Sequence, residues 1–108
     1  MRHKHLLPEL IFELGTIVFS PGITSALQFS FTLREHVNHF LECHLATDFG
    51  VISRSTRFDS TLAALLGSGQ LTSRYFIPRD ICPPHSGLII TTHLDERTTT
   101  IRFASEQE

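Results

Sequence analysis

Lysine is almost missing from this chain: eight of its nine basic residues are arginine, and Lys4 is the exception. Eleven carboxylates bring the formal charge to -2, which argues against a generic nucleic-acid coat, because such binding rests on clustered cations neutralising phosphates. The arginines that are present suit forked contacts to carboxylate or phosphate. Cysteine is also scarce. Cys43 and Cys82 show neither CxxC nor zinc-finger spacing and read as reduced thiols. No apolar stretch approaches the roughly 20 residues of a membrane span. The basic-then-apolar opening MRHKHLL is interrupted by Pro8, Glu9 and Glu13 before it could serve as a signal-peptide core. The default location is therefore the cytoplasm. Internal repeats, low-complexity segments and linkers are lacking, and no serine or cysteine sits in a recognisable nucleophile motif.

A chain of 108 residues is long enough for one domain with a modest core and too short for two. Its organising stretch runs from Thr32 to Gly50. On a helical wheel Leu33, Val37, Phe40, Leu41, His44 and Leu45 share one broad face, which must pack on something. Ser30 or Thr32 can cap its start, and Glu35 three residues after Thr32 fits a capping box. An unpaired imidazole N–H in such a face is costly, and the Asp48 carboxylate is the nearest candidate partner.

The other elements follow in order. Residues 1 to 7 make a basic tail, with Arg2, His3, Lys4 and His5 as a cationic tip, and Pro8 suits the start of a helical turn carrying Leu10, Ile11 and Leu14. Thr16 to Phe19 is a short strand bounded by Gly15 and Ser20-Pro21-Gly22. Ser20 then caps a helix with proline at its first position, carrying Ile23, Ala26 and Leu27 inward and ending near Phe29. A third helix is capped by Ser53 or Ser55 and stopped by Gly67 or Gly69, with Phe58, Leu62, Leu65 and Leu66 on the face expected to be buried. The period then changes to two over Leu71–Ile77, Leu88–His93 and Thr98–Phe103. A loop with three prolines joins the first two of these strands and the turn Leu94-Asp95-Glu96-Arg97 the last two. The order β-α-α-α-β-β-β implies a single α+β domain with a core over 14 to 104. About three helices pack on one face of a three- to four-stranded, largely antiparallel sheet.

Three constellations carry chemistry. His36, His39 and Cys43 at i, i+3 and i+7 line one flank of the main helix and could offer metal ligands, with His85 or Cys82 as a fourth; the alternative is a solvated polar flank. His44 with Asp48 could be a base and its orienting carboxylate. The same pair reads more simply as structure, His44 favoured near a helix C-terminus and Asp48 capping the turn before Gly50. Thr72, Arg74, Thr100 and Arg102, with Phe76, would share one sheet face. Arginines and an aromatic on an open sheet suit a protein interface or single-stranded nucleic acid. The alternative is a solvated outer face. Asp95, Glu96 and Arg97 form a charged hairpin tip of the kind that can also dock partners.

Taken together, these residues resemble a family of small, uncharacterised bacterial proteins labelled as plasmid-related. The likeness rests on Leu14-Gly15-x-Ile17-Val18-x-Ser20-Pro21-Gly22 with Ala26-Leu27, and on His44 ahead of Asp48-Phe49-Gly50. It continues through Ala64-Leu65, Gly69, Ser73-x-Tyr75, Ile90-Thr91, and Asp95 to Arg97 followed by Thr99-Thr100, and so covers roughly positions 14 to 104. The resemblance implies an accessory role on a mobile element and supplies no biochemical activity.

The expectation is therefore a non-enzymatic protein that binds another macromolecule through Arg74, Phe76, Arg102 and the tip Asp95, Glu96 and Arg97, with no cofactor and no membrane. In its specific form it inhibits a host defence or nucleoprotein complex, as an anti-CRISPR or anti-restriction protein. The alternatives are a small nucleic-acid-binding regulator and a metal-dependent or acid-base enzyme using His44. A homodimer is left open.

Overall fold

The Ser20 hydroxyl accepts the Ile23 backbone N–H, and Pro21 follows at the first helical position. These two residues turn the chain from strand β1 (Thr16–Phe19) into helix α1 (Pro21–Phe29). Ser30 ends that helix and caps the next, accepting from the Leu33 N–H at 3.1 Å. Helix α2 (Phe31–Leu45) thus starts one residue before Thr32, and the capping box expected from Thr32 and Glu35 does not form. Ser53 caps α3 (Arg54–Leu66), and Gly67, in the left-handed region, ends it. The strands β2 (Gln70–Phe76), β3 (Gly87–His93) and β4 (Thr98–Phe103) complete the order. The computed structural model describes residues 12–106. The basic tail and most of the helical turn expected from Pro8 lie outside the described residues.

Strands β2, β3 and β4 form an antiparallel meander, and β1 adds to β4 in parallel, giving the order β1-β4-β3-β2. Register assigns the faces. Inward rows run Leu71–Thr92–Thr99, Ser73–Ile90–Ile101 and Tyr75–Leu88–Phe103. Helices α1 and α2 cover this side with Ile23, Leu33, Val37 and Phe40, and the Phe40 and Tyr75 rings stack at 4.8 Å. Burying these apolar side chains is the main stabilising contribution, roughly 1.5–3 kcal/mol for each of the larger ones.

Helix α3 departs from the sequence reading. Phe58, Leu62, Leu65 and Leu66, expected to be its buried face, are exposed; Ser60, Ala63 and Ala64 are buried instead. The reason is where the helix sits. It lies along the free edge of β2, where only small side chains permit close approach, and the Ser60 hydroxyl accepts the Thr72 N–H at 3.0 Å. The same edge is closed further on by residues 49–51: Arg74 N–H donates to the Phe49 carbonyl at 2.9 Å and Val51 N–H to the Arg74 carbonyl at 2.8 Å. Serine and a bridging loop thus protect an edge that would otherwise present unpaired backbone groups.

Helix α2 ends in a Schellman arrangement, with Asp48 N–H bonded to the Cys43 carbonyl and Thr47 N–H to that of His44. The residue taking the left-handed conformation there is Thr47, at φ 61°, a position normally given to glycine because a β-branched side chain is strained in it. Thr47→Gly is expected to stabilise the fold by about 1 kcal/mol, visible as a higher urea midpoint at unchanged slope. An unchanged or lower midpoint would show that Thr47 carries no strain.

Candidate functional site

The Thr99 hydroxyl, inside the sheet, donates to the Leu14 carbonyl at 2.6 Å. That one bond sets the direction of a buried chain. Thr99 has spent its hydrogen, so it accepts from the Thr92 hydroxyl at 2.8 Å. Thr92 then accepts from His44 Nε2–H at 2.9 Å, and His44 Nδ1 accepts from the Ser73 hydroxyl at 2.5 Å. His44 is therefore the neutral Nε2–H tautomer, with both ring nitrogens satisfied. Burial pushes its pKa down to about 4, and the ring is edge-on to Phe12 and Phe49.

Asp48 is not the partner of His44, contrary to the sequence reading. Its side chain is exposed, and its backbone carbonyl accepts the Tyr75 hydroxyl at 2.5 Å. Burial pushes Tyr75 up to about 12, so it stays a donor. The residue types that serve His44 could have been suspected only from polar positions on inward strand faces, Ser73, Thr92 and Thr99. His44 and Ser73 resemble a base and a nucleophile in spacing, yet both are 0% exposed, so a substrate has no path to them in this conformation. Their chemistry is structural: a fully satisfied polar network that fixes α2 over β2, β3 and β4.

The flank of α2 does not assemble as a ligand set. His36 Nδ1 is bonded to the Thr32 carbonyl at 2.9 Å, while His39 Nε2 and Cys43 Sγ are 3.6 Å apart. Among the described residues no three His, Cys, Asp or Glu side chains converge as a metal site. Burial, then the nearby carboxylates of Asp48 and Glu42, raises the Cys43 thiol, and burial raises Cys82, the reverse of what activates a nucleophilic sulfur.

The outer sheet face has a different character. Register places Arg74, Ile89 and Arg102 in one cross-strand row, with Thr72, Thr91 and Thr100 in the next; the two arginine Cα atoms are roughly 10 Å apart across Ile89. The Arg74 guanidinium lies over Gly87, where an added Cβ would meet it at 3.6 Å. Beside Gly87, Phe76 is 64% exposed. Arg102 is half-buried and donates to the Glu106 carbonyl at 2.6 Å. Burial works to raise the Glu106 carboxyl, but hydrogen bonds from the Ser20 hydroxyl and the Phe103 and Gly22 N–H groups, with the charge of His85, hold it below its ordinary value. Next to Phe76 a groove of about 390 Å³ is lined by Arg79, Pro83, Pro84 and His85.

The hairpin tip does not join this patch. Four residues of β4, roughly 13 Å, separate Thr98 at the tip from Arg102. Asp95 accepts from the Ser68 hydroxyl at 2.9 Å and from Gly69 N–H at 3.2 Å, tying the tip to the end of α3. Arg97 offers its carbonyl to Thr16 N–H at 2.9 Å, and Glu96 is exposed. Among the described residues no helix is long and apolar enough to cross a membrane. No known family model, curated protein or solved structure matches this chain.

Proposed function

We propose that the chain is a non-enzymatic binding protein whose outer sheet face engages a protein partner presenting carboxylates. The observation that carries this reading is the row Arg74–Ile89–Arg102 beside an exposed Phe76, on a face whose strand side chains include no carboxylate. Arginine and aromatic side chains are the residues in which interface energy concentrates. The resemblance to plasmid-related proteins gives the proposal its specific form, an accessory protein that disables a host defence or nucleoprotein complex. Affinity capture from a bacterial host should recover a stable partner whose affinity falls about 30-fold in Phe76→Ala and more in Arg74→Glu, while both variants melt like the parent. Recovery of no partner, or of one indifferent to both variants, would sink the proposal.

A second reading is favoured by the groove that pairs Phe76 with Arg79 and His85: an exposed ring beside a guanidinium and an imidazole suits a stacked base of single-stranded nucleic acid. It predicts salt-sensitive binding of a labelled oligonucleotide that is lost in Phe76→Ala. A flat titration at low salt removes it.

A further inference from the structure

We propose that helix α3 pairs antiparallel with the α3 of a second copy of this chain, forming a weak two-fold dimer centred on the helix at the edge of β2. The inward side of α3 is built from Ser60, Ala63 and Ala64, and its larger side chains point away from the core: Phe58, Leu62, Leu65 and Leu66 are 66%, 41%, 59% and 69% exposed. Phe58, Leu62 and Leu65 are spaced four and then three apart, the interval of a coiled-coil seam, and Leu66 widens it. This is a contiguous apolar stripe on a helix whose opposite face is already occupied, not a scatter of single residues.

Charge identifies the occupant. Arg54 and Thr61, seven apart, lie along one flank of the stripe. Arg54 opens the helix, and Ser68, two residues past its end, holds the Asp95 carboxylate. Flank and helix end together therefore run from cationic at Arg54 through neutral Thr61 to the Asp95 carboxylate. Such a flank complements itself only when a second copy runs the other way, with the two-fold axis near Thr61 and Leu62. Arg54 of each copy then meets Asp95 of the other, and Phe58 falls opposite Leu66 of the second copy, at a groove of about 550 Å³ lined by Leu62, Ala63, Leu66 and Thr72. Arg54 also lies against the helix end where backbone carbonyls concentrate negative charge.

The four side chains contribute roughly 400 Å² per copy, about half of what a standard interface buries on each side. The dimer is accordingly weak, with a dissociation constant on the order of 100 μM. Sedimentation equilibrium on the full chain, from about 10 μM to 1 mM, should show a reversible monomer–dimer equilibrium that Leu65→Glu abolishes and Arg54→Glu weakens at least several-fold. At the lowest concentration, where the chain is monomeric, Leu65→Glu should melt within about 2 °C of the parent, because Leu65 is exposed in the monomer. A chain still monomeric at the highest concentration overturns the proposal, as does a dimer that survives Leu65→Glu or is indifferent to Arg54→Glu. A Leu65→Glu variant that melts much lower as a monomer also overturns it, since the stripe would then be covered by its own chain.

Discussion

Replacing His44 with alanine is expected to destabilise the domain by about 3–4 kcal/mol, a large part of the total stability of a domain this size. Two effects add. The ring is fully buried, so its removal leaves a cavity bounded by Phe12 and Phe49. The Ser73 hydroxyl also loses its acceptor in a place water does not reach, at about 1–3 kcal/mol for an unsatisfied group, and Thr92 keeps only its bond to Thr99. Asp48→Ala should cost less than about 0.5 kcal/mol, since the exposed carboxylate does not support the imidazole. Urea denaturation of the two variants separates the readings: comparable losses would restore Asp48 as the partner. The ring also sets a pH dependence. Its folded pKa lies near 4, against about 6.5 in the unfolded chain, so the unfolded state binds the extra proton between those values. The contribution of the neutral ring is fully present above pH 6.5 and is lost as the pH falls toward 4, by about 3 kcal/mol in all. A stability profile flat over that window would show that His44 is not held neutral.

Gly50→Ala is expected to cost about 3 kcal/mol or more. Gly50 has φ 76°, and a Cβ there would stand 2.1 Å from the Arg74 carbonyl oxygen and 2.8 Å from the Tyr75 ring. Relieving that overlap means withdrawing residues 49–51 from β2 and giving up the two backbone bonds that close its edge. Gly67→Ala is the matched control. Gly67 has nearly the same φ, 70°, but nothing lies within 4 Å of the added carbon, so only the left-handed conformation is taxed, at about 1 kcal/mol. For a domain of this length the difference should appear as roughly 8–16 °C in melting temperature. Equal losses at the two positions would mean that the bridge to Arg74 contributes nothing. Because that bridge also holds the backbone of Arg74, Gly50→Ala should loosen the outer face as well.

Local chemistry made much of the fold legible. The Ser-Pro start of α1, a glycine stop of α3 at Gly67 or Gly69, the four β-rich segments and the Leu94–Arg97 turn are all decided by side chains acting within a few residues of themselves, and their boundaries are readable to within one or two positions. The partners of His44 were not readable, because Ser73 and Thr92 lie 29 and 48 residues away and become neighbours only once β2 and β3 pair. Asp48 stands out in the sequence merely because it is close to His44 in the chain. The α3 stripe failed for a related reason. Periodicity reports that a helix has an apolar side and not which body will cover it, and here Ser60 and two alanines make the closer fit to the β2 edge. Nothing local in Thr16 to Phe19 announces that its neighbour is β4, or that the pairing is parallel.

That last pairing governs the order in which the molecule can be assembled. Strand β4 sits between β3 and β1, and β1 meets it across roughly eighty intervening residues, so β1 is synthesised before the other strands and has no sheet edge to join until β4 exists. Until then Ile17, Val18 and Phe19 belong to an unpaired apolar strand, and the β4 of another chain offers the same docking edge as its own. Passage of Phe103 out of the ribosome is therefore the step that commits a nascent chain to its own sheet, and crowding on the message before that point favours strand exchange between copies.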